Sequence, residues 1–314
     1  MKRLFRSMAC LAFAFSALAT AAGPILDKSG EPASFQGLWW NSPANSESGW
    51  GMNLTHQGNA IFVTWFTYGT NGNGMWLSGL LQRSGTGATF SGALMRNDAA
   101  PMGMNPWPGN MHVVNATGSA TLTFTDVDHG SFSYTYTYTS DDDMMDMMGM
   151  YGMDYRMPMT YTVMQTKSIE RQVLQLPVPD CSFSATRSPP YNYSDLWWNP
   201  DESGWGINFT HQGNVIFATW FTYGNDGKAL WLAGVLTPTS VPEQFSGDPM
   251  YTTRAQPLFM KPWDPRSFVA SRMGSVKVTF TDASHATLAF TANGTTLTKS
   301  IQRQVFAASP TICR

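Results

Sequence analysis

The chain predicts an all-β protein made of two tandem antiparallel up-and-down barrels or barrel-like units. Three observations carry this. One stretch is written twice, as WWNSPANSESGWGMNLTHQGNAIFVTWFTYGTNGNGMWL from Trp39 to Leu77 and as WWNPDESGWGINFTHQGNVIFATWFTYGNDGKALWL from Trp197 to Leu232. Such self-similarity marks an internal duplication. Short segments rich in β-branched and aromatic residues recur in each copy, with Gly, Asn and Asp between them, as in strands joined by tight turns. No segment of helical length shows a capped 3.6-residue period, so almost no helix is expected.

Taken in order, the chain opens on Lys2, Arg3 and Arg6, an apolar run from Met8 to Ala19, and small residues up to Gly23. This is the pattern of a secretory signal peptide over residues 1–22. Cys10 lies ahead of any cleavage point. Export to the periplasm or the extracellular space is the expectation, and no other apolar run is long enough to span a bilayer. Taking those three bases from the 19 Lys and Arg leaves 16 against 21 Asp and Glu. A chain of that balance has no basic surface for nucleic acid. Charged residues make up 13%, about half the usual share.

Repeat one spans residues 35–174. Its expected strands are Gly51 to His56, Ala60 to Tyr68, Met75 to Leu81, Ala88 to Met95, Ala120 to Asp126, Ser131 to Thr139 and Tyr161 to Val173. Thr121, Thr123 and Thr125 alternate with Leu122 and Phe124, so one face of the strand is polar and the other apolar. With the Trp39-Trp40 segment each repeat offers about eight strands, enough for a closed barrel, which leaves no exposed edge. A Pro-rich linker covers 175–194, repeat two runs over 195–306, and a tail at 307–314 carries Cys313. The order of an early Gly-x-Trp, a long aromatic strand, a later Trp-Leu and a final basic strand resembles calycin barrels of the avidin type.

Cys181 and Cys313 each follow a repeated lysine, Lys167 or Lys299, by fourteen residues. In an oxidising compartment an even, symmetry-related pair reads as a disulfide.

The copies differ in one place. Matching residues lie 156 apart at Gly118 and Gly274 but 132 apart at Lys167 and Lys299, so repeat one holds 24 extra residues, centred on SDDDMMDMMGMYGMDYRMPM from Ser140 to Met159. The run contains Met144, Met145, Met147, Met148, Met150, Met153, Met157 and Met159. It follows no period, so it should project between strands ending near Thr139 and beginning near Thr160. Met102, Met104, Met111 and His112 add to it from the loop PMGMNPWPGNMH, of which repeat two keeps only Met260. Thioethers are soft, neutral ligands suited to Cu(I). The segment resembles the Met-rich stretches of exported bacterial copper-resistance proteins, which implies Cu(I) as a cofactor. A solvated low-complexity loop or an oxidant sink are the competing readings.

Other repeated residues point elsewhere. Glu47 with His56, and Glu202 with His211, have acid–base character, but Glu-Ser-Gly reads as a turn and His-Gln-Gly-Asn as a hairpin turn. Asp126 with His129 and Asp282 with His285 read as turn residues as well. No catalytic residue is assigned. Trp50, Trp65, Trp76, Trp205, Trp220 and Trp231 form the alternative site, for a carbohydrate or other small ligand, although core is the commoner use of tryptophan. The whole repeat, through its ESGWG and HQG signatures, resembles uncharacterised exported β-repeat proteins of Gram-negative bacteria. The expected function is that of an exported, non-enzymatic binding protein handling Cu(I), or alternatively a carbohydrate-binding or adhesive module.

Overall fold

The computed structural model describes residues 23–104, 106–139, 159–183, 186–257, 259–292 and 295–314. The first repeat supplies β1 (Gly37–Asn41), β2 (Gly51–Gln57), β3 (Ala60–Tyr68), β4 (Gly74–Arg83), β5 (Thr89–Asp98), β6 (Val113–Phe124), β7 (His129–Thr139) and β8 (Thr160–Arg171). After β9 (Cys181–Ser182) the second supplies β10 (Asp195–Trp198), β11 (Gly206–Gln212), β12 (Val215–Tyr223), β13 (Ala229–Pro238), β14 (Gln244–Arg254), β15 (Val269–Phe280), β16 (His285–Ala292) and β17 (Thr295–Arg303), and β18 (Ile312–Cys313) follows. β1 to β8 close into one antiparallel barrel and β10 to β17 into a second. Closure comes from Trp39 pairing with Arg171 and Trp197 with Arg303. Among the described residues helix is confined to two single 3-10 turns, Gly109–Met111 and Pro265–Ser267.

The predicted alternation holds on β6, where Leu122 and Phe124 are buried. Several expected bounds shift, most of all on β6. β6 begins at Val113 rather than Ala120, because a register shift at Leu94 and Met95 lets its first residues pair with the end of β5. It ends at Phe124 rather than Asp126, because the Asp126 carboxylate accepts the N–H groups of Asp128 and His129 and so starts the turn. In His-Gln-Gly-Asn only Gly58 and Asn59 form the turn, with Gly58 at φ +57°. His56 and Gln57 belong to β2 and are fully buried.

The base of each barrel is plugged by the chain that enters it. Phe35 stacks on Phe124 at 3.7 Å and on His56 at 5.6 Å; Tyr193 stacks on Phe280 at 3.5 Å and on His211 at 5.8 Å. Arg171 lies 5.0 Å over the Trp39 ring and Arg303 4.8 Å over that of Trp197. Each guanidinium ties carbonyls of the entering segment to the last turn, Arg171 reaching Gln36, Ser34 and Val127 and Arg303 reaching Asn192, Ser194 and Ala283.

The two barrels are packed together rather than strung apart. Trp76 Nε1 on β4 donates to the Thr222 carbonyl at 3.0 Å, and Trp231 Nε1 on β13 donates to that of Thr67 at 3.0 Å. Thr64 donates to Asn208 Oδ1 at 2.9 Å between them. Gln57 binds the chain leaving barrel 2 at Gln304, Phe306 and Ala307, while Gln212 binds the chain leaving barrel 1 at Gln172, Leu174 and Gln175. These reciprocal bonds satisfy backbone groups that would otherwise be buried without partners. The linker is part of this body: Cys181 pairs with Cys313 in the β9–β18 ladder, and a disulfide joins them.

Candidate functional site: the barrel mouths

Up-and-down connectivity puts alternate connections at opposite ends. The β1–β2, β3–β4, β5–β6 and β7–β8 connections of repeat one therefore open on one end, the mouth. Glu47 comes from the first of them and Lys167 from the inward face of β8. Lys167 Nζ donates to Glu47 Oε1 at 2.8 Å and Oε2 at 2.6 Å, and Trp50 Nε1 donates to Oε2 at 3.1 Å. Barrel 2 repeats the set, Lys299 Nζ to Glu202 at 2.7 Å and Trp205 Nε1 to Glu202 at 3.1 Å. The lysine side chains are only 8% and 6% exposed, so the carboxylates offset a costly buried charge. These lysines served in the sequence only to align the repeats. A repeated lysine spaced by two and four from Ile169 and Arg171 on one strand face was the available signal of an inward cation.

Glu47 and Glu202 do not meet the repeated histidines. His56 Nδ1 accepts the Phe35 N–H at 3.1 Å and His211 Nδ1 that of Tyr193 at 3.3 Å, both at the base. Burial pushes the His56 imidazole down to about 3 and that of His211 to about 4. Held neutral, each acts as a fixed hydrogen-bond acceptor in an aromatic stack. Asp126 with His129 and Asp282 with His285 are exposed turn pairs, as expected.

Each mouth is covered by a loop of the other repeat. The β5–β6 loop reaches barrel 2: Met102 N–H donates to the Tyr223 carbonyl at 3.3 Å, Trp107 Nε1 to that of Ser203 at 3.1 Å, and His112 lies against Gly204. The β14–β15 loop reaches barrel 1: Phe268 lies against Gly49, Trp263 packs 6.2 Å from Tyr68, and the Phe259 carbonyl accepts from Gln165 at 2.8 Å. Glycine is required at 49 and 204 because φ is +119° and +115° and the covering ring fills the space of a Cβ.

The predicted tryptophans are all buried. Trp65 packs on Phe132 and Tyr134, and Trp220 on Trp205 and Phe290, inside the barrels. Trp50 and Trp205 sit in the mouths beside the ion pairs, whereas Trp76 and Trp231 hold the barrel–barrel interface. None of the six offers an exposed platform. Trp263, outside that set, is half-buried at the mouth of barrel 1. There it lines a cavity of about 630 Å³ with Asn41, Glu47, Lys167 and Lys261.

Of the predicted metal ligands, Met102 is half-buried, and Met104 and Met111 are exposed. His112 Nε2 lies 3.1 Å from Asn97 Oδ1, and burial lowers its pKa. Met159 is exposed and accepts from the Tyr161 hydroxyl at 3.5 Å. Met144, Met145, Met147, Met148, Met150, Met153 and Met157 lie outside the described residues. The strands flanking them end at Thr139 and begin at Thr160, as expected, and their ladder runs three pairs beyond the equivalent hairpin of barrel 2. Tyr138 in this extension stacks on Tyr161 at 5.5 Å and on Phe259 of repeat two at 5.1 Å. Among the described residues no three His, Cys, Asp or Glu side chains gather as a metal site. Comparison with family models, with curated proteins and with solved structures gives no match.

Proposed function

We propose that the protein is an exported, non-enzymatic binding protein that holds Cu(I) through the methionine loops of repeat one. The observation that carries this reading is topological. The β5–β6 loop with Met102, Met104 and Met111 and the β7–β8 connection with the Met144 to Met159 run both leave the same end of barrel 1. Of five exposed methionines among the described residues, Met104, Met111, Met159 and Met164 belong to repeat one and only Met260 to repeat two. Exposing a thioether forgoes the packing that methionine supplies in a core, and a soft monovalent cation is what such sulfur atoms bind. The Cys181–Cys313 disulfide fits an oxidising compartment outside the cytoplasm, in keeping with the signal peptide expected over residues 1–22.

The test is an anaerobic Cu(I) titration of the mature protein against a competing chelator, beside a variant lacking Asp141 to Met159. Binding at least tenfold weaker in the shortened protein is expected. Equal binding by the two would sink the reading.

A further inference from the structure

We propose that the mouth of barrel 1 is a saccharide-binding site, in which a hydroxylated ring lies against Trp263 beside the Glu47–Lys167 pair. The inference is independent of copper. It starts from polar atoms that are buried and have no hydrogen-bond partner among the described residues: Asn41 Oδ1, Tyr134 Oη, Gln165 Oε1 and Trp263 Nε1. Asn41 and Trp263 line the 630 Å³ cavity together with Glu47 and Lys167. Tyr134 and Gln165 are cross-strand partners on β7 and β8, and burial, with the charge of Glu47 adding to it, raises the Tyr134 pKa. Asn41 and Trp263 therefore face the cavity, while Tyr134 and Gln165 lie on the inward faces of β7 and β8 on the side of the same ion pair and do not line that cavity.

Barrel 2 shares the unpartnered indole N–H groups of Trp40 and Trp65 at Trp198 and Trp220, but not these four atoms. Phe290 and Leu297 occupy the places of Tyr134 and Gln165. Asn199, in the place of Asn41, accepts the Asp201 N–H at 3.0 Å. Trp107, in the place of Trp263, is docked on the Ser203 carbonyl. The β1–β2 loop of repeat one is three residues longer than its counterpart, and Trp263 Nε1 finds no carbonyl there. Near the other mouth, the crevice of about 230 Å³ is lined by Trp76, His112 and Trp205 and does not reach Glu202 or Lys299. Buried polar atoms are normally satisfied, so a group of four orphans in one mouth, beside a cavity, calls for a partner from outside the chain.

The chemistry of that partner follows from the mixture. Asn41 Oδ1 and Gln165 Oε1 can only accept, Trp263 Nε1 can only donate, and Tyr134 Oη can do either. A carboxylate or phosphate would set its oxygens against the two amide oxygens and Glu47. An ammonium would set its protons against the indole N–H and Lys167. Hydroxyl groups donate and accept at once, and the half-buried indole gives the apolar face of a sugar ring a flat surface. The orphan atoms are shielded from solvent, so the Trp263 ring must shift to admit the sugar, while the loop stays tied to Gln165 through the Phe259 carbonyl.

Saturation-transfer NMR on the mature, full-length protein with the methyl glycosides of glucose, galactose, mannose and N-acetylglucosamine tests the proposal. At least one glycoside should receive saturation, with affinity falling tenfold or more in Trp263→Ala and in Tyr134→Phe and holding in Trp107→Ala. Tyr134→Phe keeps the shape of the barrel interior and removes one hydroxyl, so it stands if the Trp263 variant does not fold. Transfer to none of the four, or wild-type affinity in both the Trp263 and the Tyr134 variant, would overturn the assignment.

Discussion

The two barrels are nearly interchangeable at their bases and unlike at their mouths. At the base each has an aromatic ring from the entering chain stacked on a histidine, buried at His56 and half-buried at His211, an arginine over a tryptophan, and a glutamine clasping the chain that leaves the other barrel. At the mouth only barrel 2 has its covering tryptophan docked, and only barrel 1 has the unpartnered Asn41, Tyr134 and Gln165 oxygens and the extended hairpin. A duplicated chain keeps what holds each barrel to the other and is free to change what it presents to solvent. Function is therefore best sought where the symmetry fails.

The sharpest way to break the likeness of the bases is to remove their arginines. Arg303 is buried and Arg171 only slightly more exposed, at 3% and 12%, but their acidic partners differ. Asp128 is 57% exposed, whereas Asp195 is 2% exposed and bonds Arg303 at 2.8 Å. The difference traces to one position: repeat one has Gly37 where repeat two has Asp195, and a Cβ at Gly37 would lie 2.9 Å from the Arg171 guanidinium. Loss of Arg303 leaves the buried Asp195 carboxylate with only Arg187, 3.6 Å away, at a cost of up to about 3–5 kcal/mol, while Asp128 can return to water. Urea denaturation should show Arg303→Ala as the more destabilised variant; equal losses would mean that the carbonyl bonds, not the acid, set the cost.

A second effect is smaller and depends on pH. His56 and His211 titrate near 6.5 when unfolded but are held to about 3 and about 4 in the fold. As pH falls below 6.5 the unfolded chain takes up protons that the folded chain refuses, so stability present above 6.5 is lost on acidification. Each histidine in full effect removes about 1.4 kcal/mol per pH unit. Calorimetric Tm should decline from pH 6.5 downward, and His56→Gln and His211→Gln should each flatten the slope whatever they do to Tm at neutral pH. A slope unchanged in both would show that carboxylates alone govern the acid limb.

Much of this was legible in the sequence. Strand number, the disulfide and the ends of the long hairpin at Thr139 and Thr160 all follow from period and duplication, because strand alternation and turn chemistry are local. What escaped was non-local. His56 looked like part of a turn because Gly58 and Asn59 follow it, and its burial depends on Phe35 arriving from outside the barrel. Trp76 and Trp231 resembled core in the repeat but lie on outer faces, buried only because a second barrel covers them. Exchange of the covering loops is equally invisible, since nothing in PMGMNPWPGNMH or FMKPWDP says which barrel each will meet.

The smallest predicted effect discriminates best between the mouths. Trp107 and Trp263 occupy matching places in the exchanged loops, and Phe in either place keeps most of the ring while deleting the N–H. At Trp107 the deletion removes a hydrogen bond to Ser203 and leaves a carbonyl unsatisfied, at about 1 kcal/mol. At Trp263 there is no bond to lose, and relieving a buried orphan donor should leave stability unchanged or slightly raised. Urea midpoints of Trp107→Phe and Trp263→Phe should therefore move apart, the first down and the second level or up. If both fall together, Trp263 has a partner in solution, and the asymmetry between the mouths is less than the fold implies.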